Sequence, residues 1–168
     1  TPGVMLSSAA KEYLKVYGVL VGRNPLIFTN NDSGYETAIE FKKNGVDPII
    51  LDTRKEPQSE IVDEAKNLGI NIKFSHVVVA AQGYKKVKSA DIAKISDDKE
   101  QLGKVENIKC DCICVSGFWT PTIHLASQSG NKTKFNEDID AFVPGISKQN
   151  ETTLGAANGS YVLDETLK

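Results

Sequence analysis

An alternation of short apolar runs with amphipathic segments over residues 25–74 is the feature that most constrains how this chain folds. The strand-length runs are 25–29, 47–52 and 70–74, and the segments with apolar residues at helical spacing are 33–43 and 58–67. Turn residues such as Asn44-Gly45 and Gly69 separate them. Strand, helix, strand, helix and strand joined by short loops predict a parallel sheet, and continuous apolar strands predict that both of its faces are covered.

The segments that flank this core extend the prediction. A helix is predicted before it and an antiparallel pair of strands after it, followed by a charged loop and a strand that returns to the main sheet. These are, in order, a helix at 5–17, strands at 76–84 and 85–95 that join near Gly83-Tyr84, a loop at 96–107, and a strand at 108–117. The predicted fold class is therefore α/β: a Rossmann-like parallel sheet flanked by helices, with a small antiparallel β excursion.

Composition excludes several classes of protein. The 168 residues suffice for one domain, with or without a short appendage, and the 20 Lys and Arg against 22 Asp and Glu give a net charge of -2. That balance argues against nucleic acid as a partner. No apolar run approaches the roughly 20 residues that a membrane-spanning helix needs. We therefore expect neither nucleic acid nor a membrane as a partner.

Three cysteines, Cys110, Cys112 and Cys114, alternate along the returning strand. A spacing of two places them on one face of a strand, where neighbours are poorly positioned for a disulfide. Zinc sites usually add a second pair of ligands, which is missing here. We therefore expect buried free thiols, no metal site, and a reducing compartment, which favours the cytoplasm.

The first strand-to-helix turn, residues 29–34, is where a dinucleotide fold carries G-x-G-x-x-G. Of the three glycines this chain has the third, Gly34. Asn31 puts a side chain where a phosphate would approach, and Asp32 adds a negative charge at the helix N-terminus, where anions otherwise bind. Asp52, at the end of the second strand, is placed like a ribose-binding acid. The candidate cofactor-binding residues are Thr29, Asn30, Asn31, Ser33, Gly34, Asp52 and Gly117.

Two interpretations of this turn stay open. In one, the loop still binds a nucleotide. In the other, the scaffold has lost its ligand, Asp32 or Ser33 caps the helix, and Asp52 is an ordinary turn residue. The sequence has two histidines, His76 and His124, and neither comes with the partners that a general base requires. We predict no catalytic residue within the chain.

Longer stretches carry a resemblance. Residues 28–54 and 113–145, together with 1–19 and the LGAANG segment at 154–159, resemble the α subunit of heterotetrameric sarcosine oxidase. The most specific piece is VSGFWTP at 115–121. The family commonly has Gly-Gly-Trp there, so Phe118 is a departure.

The resemblance implies a domain within a large flavoenzyme subunit. That subunit would contain a region similar to pyridine nucleotide-disulfide oxidoreductases, in which one dinucleotide-binding domain is inserted into another. Residues 1–22 would be a crossing segment and helix from the flanking domain, 23–140 the inserted NAD(P)-binding-type domain, and 141–168 the return segment. The parent enzyme would use NAD, FAD, FMN and tetrahydrofolate, mostly outside these residues. Of the four, NAD is the cofactor that this domain could bind.

The resemblance implies an internal domain of an enzyme that oxidatively demethylates sarcosine to glycine. Because the turn lacks two glycines and the chain lacks a catalytic group, we expect a structural or degenerate nucleotide-binding domain that is inactive alone. The alternative is a working NAD(P)-binding domain of a related flavin-dependent amine or opine oxidoreductase. Expected partners are the flanking domains and the other subunits. We also expect that residues 1–20 and 141–168 are either mobile or bury Met5, Tyr13 and Phe142 in a homodimer.

Overall fold

The structure is a computed structural model that describes residues 1–96, 101–117, 119–161 and 163–167. It divides into unit 1, residues 1–118, and unit 2, residues 119–168. The elements of unit 1 are β1 (Val4–Leu6), α1 (Ser7–Tyr17), β2 (Pro25–Thr29), α2 (Ser33–Lys43), β3 (Ile49–Asp52), α3 (Glu60–Asn67), β4 (Asn71–Phe74), β5 (His76–Gln82), β6 (Ser89–Lys94), β7 (Glu106–Lys109) and β8 (Cys112–Ser116).

Unit 2 has less regular structure. Its elements are α4 (His124–Gln128), β9 (Thr133–Asn136), β10 (Ala141–Pro144), a 3₁₀ turn at Gly155–Asn158 and α5 (Leu163–Thr166). Strands β9 and β10 form an antiparallel hairpin that places Phe135 opposite Phe142, with their rings 5.3 Å apart. Across the described residues of both units, no helix is long and apolar enough to span a membrane.

The main sheet of unit 1 is parallel, in the order β1-β8-β2-β3-β4. Strands β5, β6 and β7 form a separate antiparallel sheet. The predicted α/β class, with its antiparallel excursion, is confirmed. Successive residues of a strand face opposite sides, so Leu26 and Ile27 belong to two different apolar clusters. Helices α1, α2 and α3 cover one face of the main sheet, and the antiparallel sheet covers the other.

The prediction of one strand over 108–117 was wrong. The chain leaves the antiparallel sheet after β7 and enters the main sheet at β8. Asp111 lies at the break, where its carboxylate accepts the backbone N–H groups of Arg23 and Asn24, at 2.9 and 2.8 Å. Cys110 therefore packs in the cluster between the two sheets, while Cys112 and Cys114 pack under the helices. The prediction that all three cysteines share one strand face was wrong for Cys110.

Several further boundaries differ from prediction; among them, the second strand of the antiparallel pair begins at Ser89 rather than at residue 85. The first helix begins at Ser7 rather than at residue 5, because Met5 and Leu6 lie in β1 and pair with Cys114 and Val115 of β8. The predicted loop at 96–107 ends earlier, since β7 begins at Glu106. Residues 97–100 of that loop lie outside the described part of the chain.

Candidate functional site

The carboxyl ends of three neighbouring strands bring the predicted site residues together. Thr29, at the end of β2, lies directly between Ser116 of β8 and Asp52 of β3. Helix α2 begins four residues after Thr29, and Gly117 follows β8. Ligands of open α/β sheets bind at this edge, outside the carboxyl ends of the strands. We call it the carboxyl edge.

Gly34 lets helix α2 pack closely on strand β2. A Cβ atom added at Gly34 would lie 2.6 Å from the Cβ atom of Thr29, closer than such atoms approach in proteins. The Thr29 hydroxyl donates to the carbonyl oxygen of Asn31 at 2.7 Å and accepts its N–H at 3.2 Å. The turn therefore keeps the helix-packing role that the third glycine has in dinucleotide-binding loops.

The Asn31 side chain fills the middle of the turn. Its Oδ1 atom accepts the backbone N–H of Ser33 at 3.0 Å and the Ser33 hydroxyl at 2.7 Å. Its Nδ2 atom donates to the Gly117 carbonyl at 2.5 Å and to Asn30 Oδ1 at 3.1 Å. The Ser116 hydroxyl lies 2.6 Å from that of Ser33. A helix N–H group that could bind a phosphate oxygen is thus bonded to a side chain of the chain itself.

This arrangement corrects one detail of the ligand-free interpretation. The sequence suggested Asp32 or Ser33 as the cap of α2. The Asp32 side chain makes no capping hydrogen bond, and the Ser33 N–H bonds to the amide oxygen of Asn31. The Asn31 side chain therefore accepts the hydrogen bond of the first N–H group of α2, two residues further along the chain.

Asp52 is fully buried, and hydrogen bonds occupy both of its carboxylate oxygens. Tyr35 donates its hydroxyl to Oδ2 at 2.7 Å. Arg54 donates its backbone N–H to Oδ1 at 2.9 Å and its Nη2 to Oδ2 at 2.8 Å. The other end of the guanidinium, Nη1, lies 2.8 Å from Asp32. Arg54 therefore bridges the acid at the end of β3 to the acid at the start of α2.

The pKa values of Tyr35 and Arg54 are both raised, so both groups stay protonated and bonded to Asp52. Burial raises the pKa of Tyr35 well above its usual range, and the hydrogen bond to Asp52 raises it further. Burial alone would lower the pKa of Arg54, but its bonds to Asp52 and Asp32 outweigh that effect and raise the pKa. One guanidinium between two carboxylates leaves no unbalanced positive charge for a phosphate. Arg54 was not among the residues predicted from the sequence; its position two residues after a strand-end acid was the available signal.

The remaining candidate groups are not arranged for catalysis. Cys112 Sγ and Cys114 Sγ are 3.7 Å apart, buried and free. Burial raises the pKa of the Cys110 thiol to about 11, which disfavours the reactive thiolate. His76 Nδ1 lies 2.6 Å from the carbonyl oxygen of Phe74, and His124 is exposed at the start of α4. Among the described residues, no three His, Cys, Asp or Glu side chains form a metal-binding group.

The VSGFWTP piece contains two neighbouring aromatic residues, Phe118 and Trp119. Phe118 lies outside the described residues. Trp119, in unit 2, has its ring 6.0 Å from that of Tyr161, whose hydroxyl donates to the Trp119 carbonyl at 2.9 Å.

Fold and carboxyl edge together define a domain of the Rossmann-like α/β class. The thioredoxin reductase of Lactococcus lactis has this fold, with a TM-score of 0.69 and 15% identity over 96% of this chain and 51% of that one. No protein-family model matches the sequence.

Similarity in sequence is more informative than similarity in fold. The chain is 34% identical over 158 residues to the sarcosine oxidase α subunit of Rhizobium meliloti (strain 1021), covering 93% of this chain and 15% of that protein. It is 30% identical over 162 residues to the α subunit from Corynebacterium sp. (strain P-1), covering 95% and 16%. The resemblance to sarcosine oxidase α subunits is confirmed. The chain spans about a sixth of the length of these relatives.

Proposed function

We propose that this chain is an internal domain of a sarcosine oxidase α subunit and that its dinucleotide site is degenerate. In this proposal the whole enzyme oxidatively demethylates sarcosine to glycine, and this domain supports its neighbours without catalysis of its own. The similarity over 93–95% of this chain but 15–16% of the relatives supports a domain within a longer polypeptide. Its partners would be flanking domains and the other subunits, in the cytoplasm.

The hydrogen bonds of the Asn31 side chain are the main observation that supports a degenerate site. A pyrophosphate needs free N–H groups at the start of α2 and room for its oxygens beside the turn. Here the Ser33 N–H is bonded to Asn31, and the Asn31 amide reaches across to the Gly117 carbonyl. Asp52, in the position of a ribose-binding acid, is bonded to Tyr35 and Arg54. These residues do not fit NAD, so we assign NAD to another part of the enzyme. For FAD, FMN and tetrahydrofolate we keep the placement that the resemblance implies, mostly outside this chain.

A second candidate is a working NAD(P)-binding domain of a flavin-dependent amine or opine oxidoreductase. The close packing of Gly34 against Thr29 favours this second candidate, because functional dinucleotide loops have the same packing. A Cβ atom added at Gly34 would lie only 2.6 Å from the Thr29 Cβ atom. The two candidates differ in whether this chain binds a pyridine nucleotide.

Calorimetric titration of the chain with NAD, NADP and FAD in turn separates them. We expect no heat of binding up to millimolar nucleotide. Asn31→Gly, which removes the side chain from the turn, is expected to gain weak binding, whereas Asn44→Gly, the same change at the other end of α2, is not. Tight binding by the unaltered chain would overturn the degenerate site and favour the second candidate. Turnover of sarcosine by the chain alone would overturn a domain without catalysis.

A further inference from the structure

Two buried thiols lie side by side under the helices that cover the main sheet. Cys112 and Cys114 are 1% and 0% exposed, and their Sγ atoms are 3.7 Å apart. Both thiols are free. Side chains two residues apart on a strand are poorly placed for a disulfide. Two sulfur atoms that do not readily bond to each other therefore remain available as ligands.

Met5 adds a third sulfur atom from the neighbouring strand. Strand β1 is parallel to β8 and pairs Met5 directly with Cys114. Paired residues of adjacent strands point to the same face, and Met5 packs against the core cluster that contains both cysteines. A methionine side chain has three rotatable bonds, so its thioether can approach the thiols without movement of the backbone. The two strands thus bring two thiols and one thioether to one place.

The spacing of the two thiols matches that of two ligands on one metal ion. A metal–sulfur bond of about 2.3 Å, with an angle of about 109–120° at the metal, places two sulfur atoms about 3.8–4.0 Å apart. The Sγ atoms of Cys112 and Cys114 are already at 3.7 Å. Binding of an ion would therefore require only a small movement of the two side chains.

A set of sulfur ligands alone favours a soft, monovalent ion over zinc. Structural zinc takes four ligands, and in the described part of the chain no His, Asp, Glu or third Cys joins the pair. Thiolate and thioether ligands select Cu(I), for which three sulfur atoms suffice. The expectation of no metal site rested on the missing zinc ligands, and it does not extend to an ion of this kind.

We propose that Met5, Cys112 and Cys114 form a binding site for Cu(I). The way in is at Met5, which is partly exposed in the edge strand of the sheet, whereas both cysteines are buried. Strand β1 has three residues and pairs with one neighbour, so local opening of this strand gives the ion access to the thiols. The inference does not depend on the proposed function.

Charge at the start of α1 supports binding. Each thiol releases its proton to solvent when its sulfur bonds to Cu(I), so the occupied site carries one net negative charge. Helix α1 begins at Ser7, two residues after Met5, and has neither a side-chain cap nor an acidic residue in its first turn. The positive end of the helix dipole therefore favours the negative charge.

Anaerobic titration of the chain with Cu(I), against a coloured chelator that competes for the ion, tests the proposal. The unaltered chain should bind one Cu(I). Cys112→Ala and Cys114→Ala should each weaken binding by more than about 100-fold, because changes outside the ligand shell already cost about 10–100-fold. Met5→Leu, which keeps the packing volume, should weaken binding about tenfold.

Cys110→Ala is the matched control. Cys110 is also buried, but it packs in the cluster between the two sheets, so this variant should bind Cu(I) as the unaltered chain does. Circular dichroism would verify that each variant folds. Absence of binding by the unaltered chain, undiminished binding in any of the three ligand variants, or equal loss in Cys110→Ala would overturn the proposal.

X-ray absorption spectroscopy of the Cu(I)-loaded, unaltered chain gives a second test that needs no variant. It should show three sulfur atoms about 2.3 Å from copper and no lighter ligand. Nitrogen or oxygen neighbours would place the ion on other groups and overturn the proposal. Neither test involves nucleotide or sarcosine, so failure here and failure of the proposed function are distinguishable.

Discussion

Removing the Arg54 side chain should destabilise the fold much more than removing a surface lysine. Asp52 is fully buried, and Arg54 supplies its charged partner, with a side chain that is 29% exposed. Breaking a buried ion pair by deleting one partner costs about 3–5 kcal/mol. Solvent reaches part of the Arg54 site and would replace some of the interaction. We therefore expect Arg54→Ala to lower the free energy of unfolding by about 2–4 kcal/mol.

Tyr35 provides the comparison that isolates the network. Tyr35→Phe removes one hydrogen bond to a charged acceptor and should cost about 1.5–3 kcal/mol. Because Tyr35 and Arg54 both bond to Asp52, the double variant should depart from additivity by about 0.5–3 kcal/mol. Two distant, unconnected residues would give additive losses.

Urea unfolding at neutral pH, followed by circular dichroism, measures all three variants. Lys43→Ala is the control, since Lys43 and Glu64 form a pair with both side chains about half exposed, at 56% and 49%. That variant should unfold as the unaltered chain does. An Arg54→Ala variant as stable as Lys43→Ala, or losses from Arg54→Ala and Tyr35→Phe that add without coupling, would show that Arg54 and Tyr35 do not stabilise Asp52 as one network.

Three further predictions concern the turn, the buried tyrosine and the break before β8. Gly34→Ala should lower the free energy of unfolding, measured by thermal unfolding, by about 1–3 kcal/mol, because the new Cβ atom meets Thr29. Gly117→Ala should change it little, because no atom lies within 4 Å of a Cβ atom added there. Above pH 10 the unfolded chain releases the Tyr35 proton while the native chain retains it, so stability should fall with rising pH, and less steeply in Tyr35→Phe. Asp111→Ala should lower the free energy of unfolding by about 1–2 kcal/mol. It should also speed hydrogen exchange of the backbone N–H groups of Arg23 and Asn24, which donate to Asp111; unchanged exchange would contradict this.

The strand–turn–helix from β2 to α2 was predictable because its signals are local. Pro25 begins an apolar run, and helical spacing starts directly after the turn, so the predicted bounds 25–29 and 33–43 match the structure. Strand β1 was not predictable in this way. Its three residues are too short to show a period of two, and pairing with β8, more than 100 residues away in sequence, determines its conformation.

Long-range contacts also explain the other misses. Nothing in the alternating, then apolar, pattern of 108–117 reveals that Asp111 bonds to backbone groups 87 and 88 residues earlier. The sequence indicated the residues of the carboxyl edge, since strand ends and a helix start must meet there. It did not reveal that Arg54 bridges Asp52 and Asp32, because an ion pair between two turns depends on the folded distance between them.

Nuclear magnetic resonance of the Ser33 amide tests the central claim most directly. This N–H, at the start of α2, is bonded to the Asn31 side chain rather than open to a phosphate. Titration of the isotopically labelled chain with NAD to millimolar concentration should leave the Ser33 and Gly34 amide signals unchanged, and the same titration of Asn31→Gly should move them. Saturable shifts of these signals in the unaltered chain would contradict the account, because they would show that the turn still binds a dinucleotide.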